Sequence, residues 1–353
     1  MSVQVALSRR SKKEETVSTS ISIPNSRDVK AMSRFSIARW LGCVTILLVL
    51  RSVAMAEEPK TAASRPVLLF TVPEYCEGIV FDHAGNGYIS HGAEITRFTP
   101  DGKRSLWATT GAPNGHKILA DGTHLVCDKS QHAVLRLSAN GKPLTPAATD
   151  CDGKPLRGPN DLTLDTPHGG FYFTDPEESD LENRIGTVHY VDHNGKTSLI
   201  DHGLAYPNGI VLSPDGKRLW VGESMTNRVL VYEVEGPGKV KNRKIFAQLP
   251  LKNDQLGQIN NLPDGMCLDD QGNLYVAHYG MQRVQVLDPS GKWIKQLDGG
   301  NLTTSNVAFG GPKMNRLFVT GGLATGQGGL FRLDLEGTKG LTITPQISLH
   351  SEK

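Results

Sequence analysis

One frame recurs six times along this chain, and a frame repeated at such an interval constrains the fold more than any composition does. Glu77-Gly-Ile-Val-Phe-Asp-His-Ala-Gly85 is followed by Tyr88-Ile-Ser90. Asn208-Gly-Ile-Val-Leu-Ser-Pro-Asp-Gly216 is followed by Leu219-Trp-Val221, and Asp264-Gly-Met-Cys-Leu-Asp-Asp-Gln-Gly272 by Leu274-Tyr-Val276. Each copy has a polar lead residue, a short apolar run, a glycine eight positions after the lead, and a second apolar run. Asn114 through Gly122 with Leu125-Val-Cys127 fits the frame. Asn160-Asp-Leu-Thr-Leu-Asp165 with Phe171-Tyr-Phe173 has a turn one residue longer. Asn306-Val-Ala-Phe-Gly310 with Leu317-Phe-Val319 is the loosest copy.

The lead positions lie 37 to 56 residues apart, the spacing of four-stranded blades. Third strands are expected at 95–98, 134–137, 188–191, 229–232, 284–287 and 330–333, and weaker fourth strands at 244–247 and 293–297. Asp101-Gly102, Asn140-Gly141, Asn194-Gly195 and Ser290-Gly291 supply turns. No segment has a helical period. An open array would expose its end blades, so closure into a ring is expected. The reading is all-β, a six-bladed β-propeller of four-stranded antiparallel blades over residues 66–345, with the strand 66–71 completing the last blade. A β-sandwich also uses short strands and glycine turns, but does not demand six copies at blade spacing.

Glycine at 38 residues and proline at 20 suit a turn-rich β chain. The formal net charge of +2 conceals an uneven distribution. Nine of the 38 Lys/Arg and three of the 36 Asp/Glu precede residue 57, which leaves the remainder at 29 against 33, a net of −4. A mildly acidic body gives no reason to expect a nucleic-acid partner. Residues 1–33 read as a polar, Ser-rich extension, with Met32 an alternative start. Arg34 and Arg39, the apolar run Trp40–Leu50 and Ala54-Met55-Ala56 read as a signal peptide over 34–56, the alternative being an uncleaved anchor. About eleven apolar residues are short for a bilayer core of ~30 Å. Residues 57–65 are then a linker and 346–353 a tail. The expectation is an exported protein, periplasmic or secreted, with no stable membrane insertion after cleavage, monomeric or weakly dimeric. Cys76, Cys127, Cys151 and Cys267 follow no Cys-x-x-Cys spacing, which argues against a zinc or redox site. Export permits a disulfide, while Cys127 and Cys267 fall within apolar strands where a buried free thiol is expected.

In a propeller the first strand of each blade lines the central channel, so the six lead residues should form one ring: Glu77, Asn114, Asn160, Asn208, Asp264 and Asn306. Two carboxylates and four carboxamides are hard oxygen donors suited to Ca²⁺, which takes six to eight oxygens at ~2.3–2.6 Å. Mg²⁺ tolerates so wide a ring poorly, and Zn²⁺ or Mn²⁺ is the alternative. Against this, Asn-Gly and Asp-Gly are also common turn starts, and a Ca²⁺ could be purely structural.

The motifs Glu77-Gly-Ile79, Arg157-Gly-Pro-Asn-Asp-Leu162, Phe173-Thr-Asp-Pro176, Pro207-Asn-Gly-Ile210, Pro263-Asp-Gly-Met266 and Asn306 through Gly311 resemble the SMP-30/gluconolactonase family over essentially all of residues 66–335. The resemblance implies a six-bladed propeller lactonase with catalytic Ca²⁺ held by Glu77, Asn160, Asn208 and Asp264. It implies that Asn114 and Asn306 are channel residues, either near the substrate or behind the metal ligands. It weakens at residues 177–184, where Glu-Glu-Ser-Asp-Leu-Glu-Asn-Arg replaces a short aromatic-Gly loop.

The chemistry then expected is hydrolysis of a small lactone, the metal polarising the carbonyl and Asp264 as general base, with Asn160 in the catalytic set. His116, Arg157 and His278 are further substrate-side candidates. His91, Asp128, Asp175 and Glu223 end second strands as His278 does, and for all of these turn satisfaction is an equal alternative; Asp161 could tie its own turn. Rival readings are a Ca²⁺-dependent phosphotriesterase with Asp264 as nucleophile, a non-enzymatic ligand-binding propeller, and a strictosidine-synthase-like condensing enzyme. The last would need an aromatic pocket that 6% aromatic content does not promise.

Overall fold

The structure, a computed structural model, describes residues 65–251 and 261–341. The expectations for the extension at 1–33, the signal peptide at 34–56, nearly all of the 57–65 linker and the 346–353 tail lie outside the described residues.

Six antiparallel sheets surround one channel. Blade one runs Cys76–Phe81, Gly87–His91, Glu94–Phe98, Arg104–Thr109 from the channel outward. Blade three runs Leu162–Asp165, Gly170–Asp175, Gly186–Val191, Thr197–Leu204. Blade four runs Pro207–Leu212, Arg218–Glu223, Arg228–Gly236, Lys239–Gln248, and blade five Leu262–Leu268, Leu274–Tyr279, Arg283–Leu287, Trp293–Asp298. Blade six contains Thr303–Gly310, Arg316–Gly322 and Gly328–Asp334, and its outer strand is Val67–Val72 from the other end of the chain.

Blade two departs from the expectation of four strands. It has Pro113–Ile118, His124–Asp128 and Ala133–Leu137 only. Pro143 and Pro146 fall where the fourth strand would run, and a proline has no N–H for a ladder. Its edge is instead stitched by isolated bridges, Leu137 to Pro143 and Val134 to Ala148.

Six apolar cores account for the ring, one between each pair of neighbouring blades. Tyr88, Ile95 and Ala108 of blade one meet Ile118, Val126 and Leu135 of blade two. The same holds around the ring to Ile89 and Phe98 of blade one against Phe318 and Leu330 of blade six. Within each strand, period-two alternation places one side chain on each neighbour, so these strands are buried on both faces. The turn glycines do what the frame requires of them. Gly85, Gly122, Gly216 and Gly272 have φ of 80°, 83°, 68° and 79°, a left-handed conformation that other residues rarely adopt. Among the described residues the one helical element is the 3₁₀ turn Ser224–Thr226.

Candidate functional site

Four inner strands, of blades one, two, four and five, break their ladder at the lead residue. Pairing to the second strand stops at Cys76, Pro113, Pro207 and Pro263, and resumes at Ile79, His116, Ile210 and Met266. This bulge frees the lead side chain from the ladder and aims it at the channel. The glycine after the lead has a separate reason to be glycine. A Cβ on Gly78 would stand 2.1 Å from the Asn114 carbonyl oxygen, and one on Gly209 would stand 2.0 Å from that of Asp264. Neighbouring inner strands therefore approach more closely at the channel than any side chain allows.

Blade six corrects the ring. Its ladder shifts between Thr304 and Asn306, and Val307 packs in the core between blades five and six. Val307 thus holds the place taken by Ile79, Ile210 and Met266 elsewhere. Ser305 is the lead residue of this blade, and Asn306 falls one place later, where Asp161 stands in blade three. The two behave alike: Asn306 Oδ1 accepts from the Val307 amide at 2.9 Å, and Asp161 Oδ1 from Leu162 at 2.8 Å. Asn306 is occupied with its own backbone and with Gly265, and is not the channel residue the frame predicts.

At the lead ring, buried oxygens lack partners. Glu77 Oε2, Asn160 Oδ1 and Asn208 Oδ1, from blades one, three and four, have no hydrogen bond. Asp264 of blade five is 6% exposed. Burial, then repulsion from Glu77 and Asp161, pushes the Asp264 carboxyl well above the usual carboxylate range. Burial pushes Glu77 up to about 8, Tyr75 opposing this by a hydrogen bond and Asp161 adding to it. Clustered acids beside orphaned oxygens are costly unless a cation joins them. Among the described residues no group of three or more His, Cys, Asp or Glu is set to hold a metal. The set here mixes two carboxylates with two carboxamides, all hard oxygen donors, and so fits Ca²⁺ or a similar hard dication.

Hydroxyls hold the ring in place from the second strands. Ser90 Oγ donates to the Asn114 carbonyl at 2.9 Å, Thr174 Oγ1 to that of Asn208 at 2.8 Å, and Thr320 Oγ1 to that of Glu77 at 2.7 Å. Each hydroxyl reaches from one blade to the lead residue of the next. Sequence reasoning missed them, although Thr174 and Thr320 directly follow the second apolar run of their copies and Ser90 ends that of its own.

Three tyrosines were missed as well. Tyr75, Tyr206 and Tyr279 are partly buried near the acids. All three hydroxyls are raised by burial first and by the charges of Glu77 and Asp264 among the further causes. Tyr75 and Tyr279 meet edge to face at 6.2 Å. Tyr206 sits at φ 60°, a strained conformation for a bulky residue. The signal was available: Tyr75 and Tyr206 each lie two residues before a lead.

Other predicted site residues are placed elsewhere. His116 is buried between blades one and two, with Nε2 2.7 Å from His124 Nδ1 and Tyr88 and Trp107 packed around it. His278 is fully buried, its ring nitrogens engaged by Asn227 Oδ1 at 2.8 Å and Gln285 Nε2 at 3.2 Å. Neither can touch a substrate: both alternate onto interblade faces. The Arg157 guanidinium donates to the Ile185 carbonyl on the surface. Asp128, Asp175 and Glu223 are consumed by loops. They accept backbone amides of Gly111 and Ala112, of Arg157 and Gly158, and of Ala205 respectively. His91 bonds Thr96. All four described cysteines are free thiols.

Three residues beyond each lead the inner strands present a second ring: Val80, Lys117, Thr163, Val211, Cys267 and Ala308. Lys117 is its one charged member, and its charge acts on Asp161 in blade three and on Cys267 in blade five.

Residues 77–322 match the model of the SMP-30/gluconolactonase/LRE-like region. A gluconolactonase of Zymomonas mobilis is 30% identical over 218 residues, covering 59% of this chain and 60% of that protein. The chain thus spans well under two thirds of that relative. Lactonase drp35 of Staphylococcus aureus is 31% identical over 258 residues, 69% of this chain and 77% of its own. Diisopropyl-fluorophosphatase of Loligo vulgaris is 26% identical, covering 61% and 75%. The crystal structure of the calcium-binding protein regucalcin from Agrobacterium tumefaciens superposes with a TM-score of 0.67 at 20% identity, over 81% of this chain and 98% of that one. At that identity the likeness is one of fold.

Proposed function

The chain belongs to the SMP-30/gluconolactonase/LRE-like family, and from that premise we propose that it is a hydrolase that opens small lactones at the lead ring with the help of Ca²⁺. The observation that carries this reading is the trio of orphaned buried oxygens on Glu77, Asn160 and Asn208 beside the Asp264 carboxyl. The gluconolactonase and lactonase relatives supply the substrate class. Glu77, Asn160, Asn208 and Asp264 would hold the ion, which when bound supplies a Lewis acid for a carbonyl oxygen.

The chain's own residues do the rest. A carboxylate oxygen of Asp264 accepts a proton from the attacking water. Attack opens the ring, the ring oxygen leaves with a proton, and a hydroxy acid is released. The Asn208 amide hydrogen-bonds Asp264 and steadies it, and the Tyr75 hydroxyl does the same for Glu77. Tyr75, Tyr206 and Tyr279 supply flat walls against which a lactone ring can lie. The basic, apolar and small-residue pattern before residue 57 supports export.

The test is hydrolysis of a panel of sugar and simple lactones followed by pH-stat, with and without EDTA. Asp264→Asn should abolish turnover with the unfolding midpoint within about 1 kcal/mol of the parent. Full activity in that variant removes it as the base. The fluorophosphatase relative favours a second reading, in which the same residues act on organophosphate esters. Turnover of diisopropyl fluorophosphate above that of every lactone would select it. A non-enzymatic binding propeller would hydrolyse nothing in either panel.

A further inference from the structure

A cavity of about 940 Å³ opens from the second ring, and none of the four candidate metal ligands lines it. It runs from Lys117 and its ring-mates into a crevice between blades six and one walled by Phe70, Phe98 and Phe318. Those rings meet at 5.4 Å and 6.4 Å between centroids and leave an aromatic wall. The remainder of the second ring is apolar or small, apart from Thr163, whose hydroxyl accepts from the Leu212 amide at 3.1 Å.

The charges in this cavity are mostly positive. Among the described residues the Lys117 ammonium has no hydrogen bond and no ion pair; the acid it influences is Asp161, nearer the lead ring. Arg104 lies over the Phe70 ring at 4.8 Å, and Arg332 shares Asp334 at 3.0 Å while its buried Nε has no partner. Asp82 is the acid on the wall. A volume in this range, an apolar lining and a few convergent cations describe a small-molecule site. An ammonium among apolar side chains gains far more from a carboxylate there than it would at a surface.

We propose that this cavity binds an amphipathic monocarboxylate, its carboxylate on Lys117 and its hydrocarbon body along the phenylalanine crevice. The site is separate from the lactone-opening ring and independent of what that ring does. Arg104 and Arg332 at the crevice favour the approach of an anion. A neutral lipid would leave the lysine unpaired, and a cationic one would be repelled.

The experiment is calorimetric titration of the full chain with dodecanoate, dodecanol and dodecyltrimethylammonium below their aggregation limits. One dodecanoate per chain should bind, with dodecanol at least about tenfold weaker and the ammonium compound silent, since a bond to a charged group is at stake. Lys117→Met keeps the apolar stem and should weaken dodecanoate by about tenfold or more. Ala308→Trp fills the channel and should abolish binding, and Glu77→Gln should leave it unchanged. Equal affinity for dodecanol, or full affinity in Lys117→Met, overturns the proposal. So does loss of binding in Glu77→Gln, which would put the ligand at the lead ring. Leu341 lines the cavity, so a chain ending there is included. If dodecanoate binds only after residues 342–353 are removed, the occupant is the chain itself and the proposal falls.

Discussion

Gly209→Ala tests the idea that glycine lets the blades crowd the channel. The new Cβ would lie 2.0 Å from the Asp264 carbonyl oxygen, 2.8 Å from its carbonyl carbon and 3.0 Å from Gly265 Cα. All three are backbone atoms, so no side chain can swing aside. Ordinary contact begins near ~3.5 Å, and the inner strands of blades four and five must part by more than about 1 Å. Overpacking of this kind costs about 1–3 kcal/mol. Because the moved residue is the candidate base, a misplacement of ~1 Å should also lower kcat by about a hundredfold. Gly236→Ala is the control, since nothing lies within 4 Å of a Cβ there. Urea unfolding followed by tryptophan fluorescence gives the stability, and lactone turnover gives kcat. A Gly209→Ala protein with parental midpoint and parental kcat would refute the crowding argument, as would an equal loss in Gly236→Ala.

Glu77→Gln should weaken Ca²⁺ by at least about tenfold in calorimetry, and an unchanged affinity would sink the ligand assignment. The same variant should stabilise the metal-free protein in alkali. With its folded value raised to about 8, Glu77 loses stability for the fold as pH rises from the unfolded carboxyl range through 8. The buried histidines act on the acid side. His124 and His189 are lowered to about 4 and His278 to about 3, all by burial first. They stay neutral in the fold while an unfolded chain protonates near ~6.5, so stability present above that pH is lost as pH falls toward 4. Every tenfold drop in a ring's proton affinity on folding puts about 1.4 kcal/mol at stake. With Ca²⁺ saturating, a urea midpoint that stays flat from pH 7 to 5 would contradict this. Thr174→Val removes the donor to the Asn208 carbonyl. It should cost about 1–3 kcal/mol and lower Ca²⁺ affinity, and a silent substitution would mean that carbonyl is satisfied otherwise.

The scaffold was legible because a strand-turn-strand frame writes its signal locally: alternating apolar residues, then a glycine at positive φ. Five lead residues followed from the same frame. The sixth slipped by one because Asn306 looks like its counterparts while Ser305 does not, and the register is set by which residue enters the interblade core, Val307, a long-range fact. His116 and His278 misled for a related reason. Both faces of these strands are buried, so polarity alone does not say which side chains reach the channel. The missing fourth strand of blade two had a local cause, the prolines at 143 and 146, which the spacing argument did not weigh. The tyrosines near the acids belong to strand ends and loops from blades one, four and five, and nothing local brings them together.

The outer strand of blade six, Val67–Val72, pairs with Gly328–Asp334 across some 260 residues of chain. On a ribosome this strand emerges first and can be used only last, after five other blades exist. Until then blade six has no outer neighbour and the ring has a seam. Such a seam makes the final docking the step most exposed to intermolecular strand exchange. It also makes a rearranged gene informative: moving residues 66–75 behind Leu335 would turn a long-range pairing into a hairpin, and refolding should become faster even if the finished ring is no more stable.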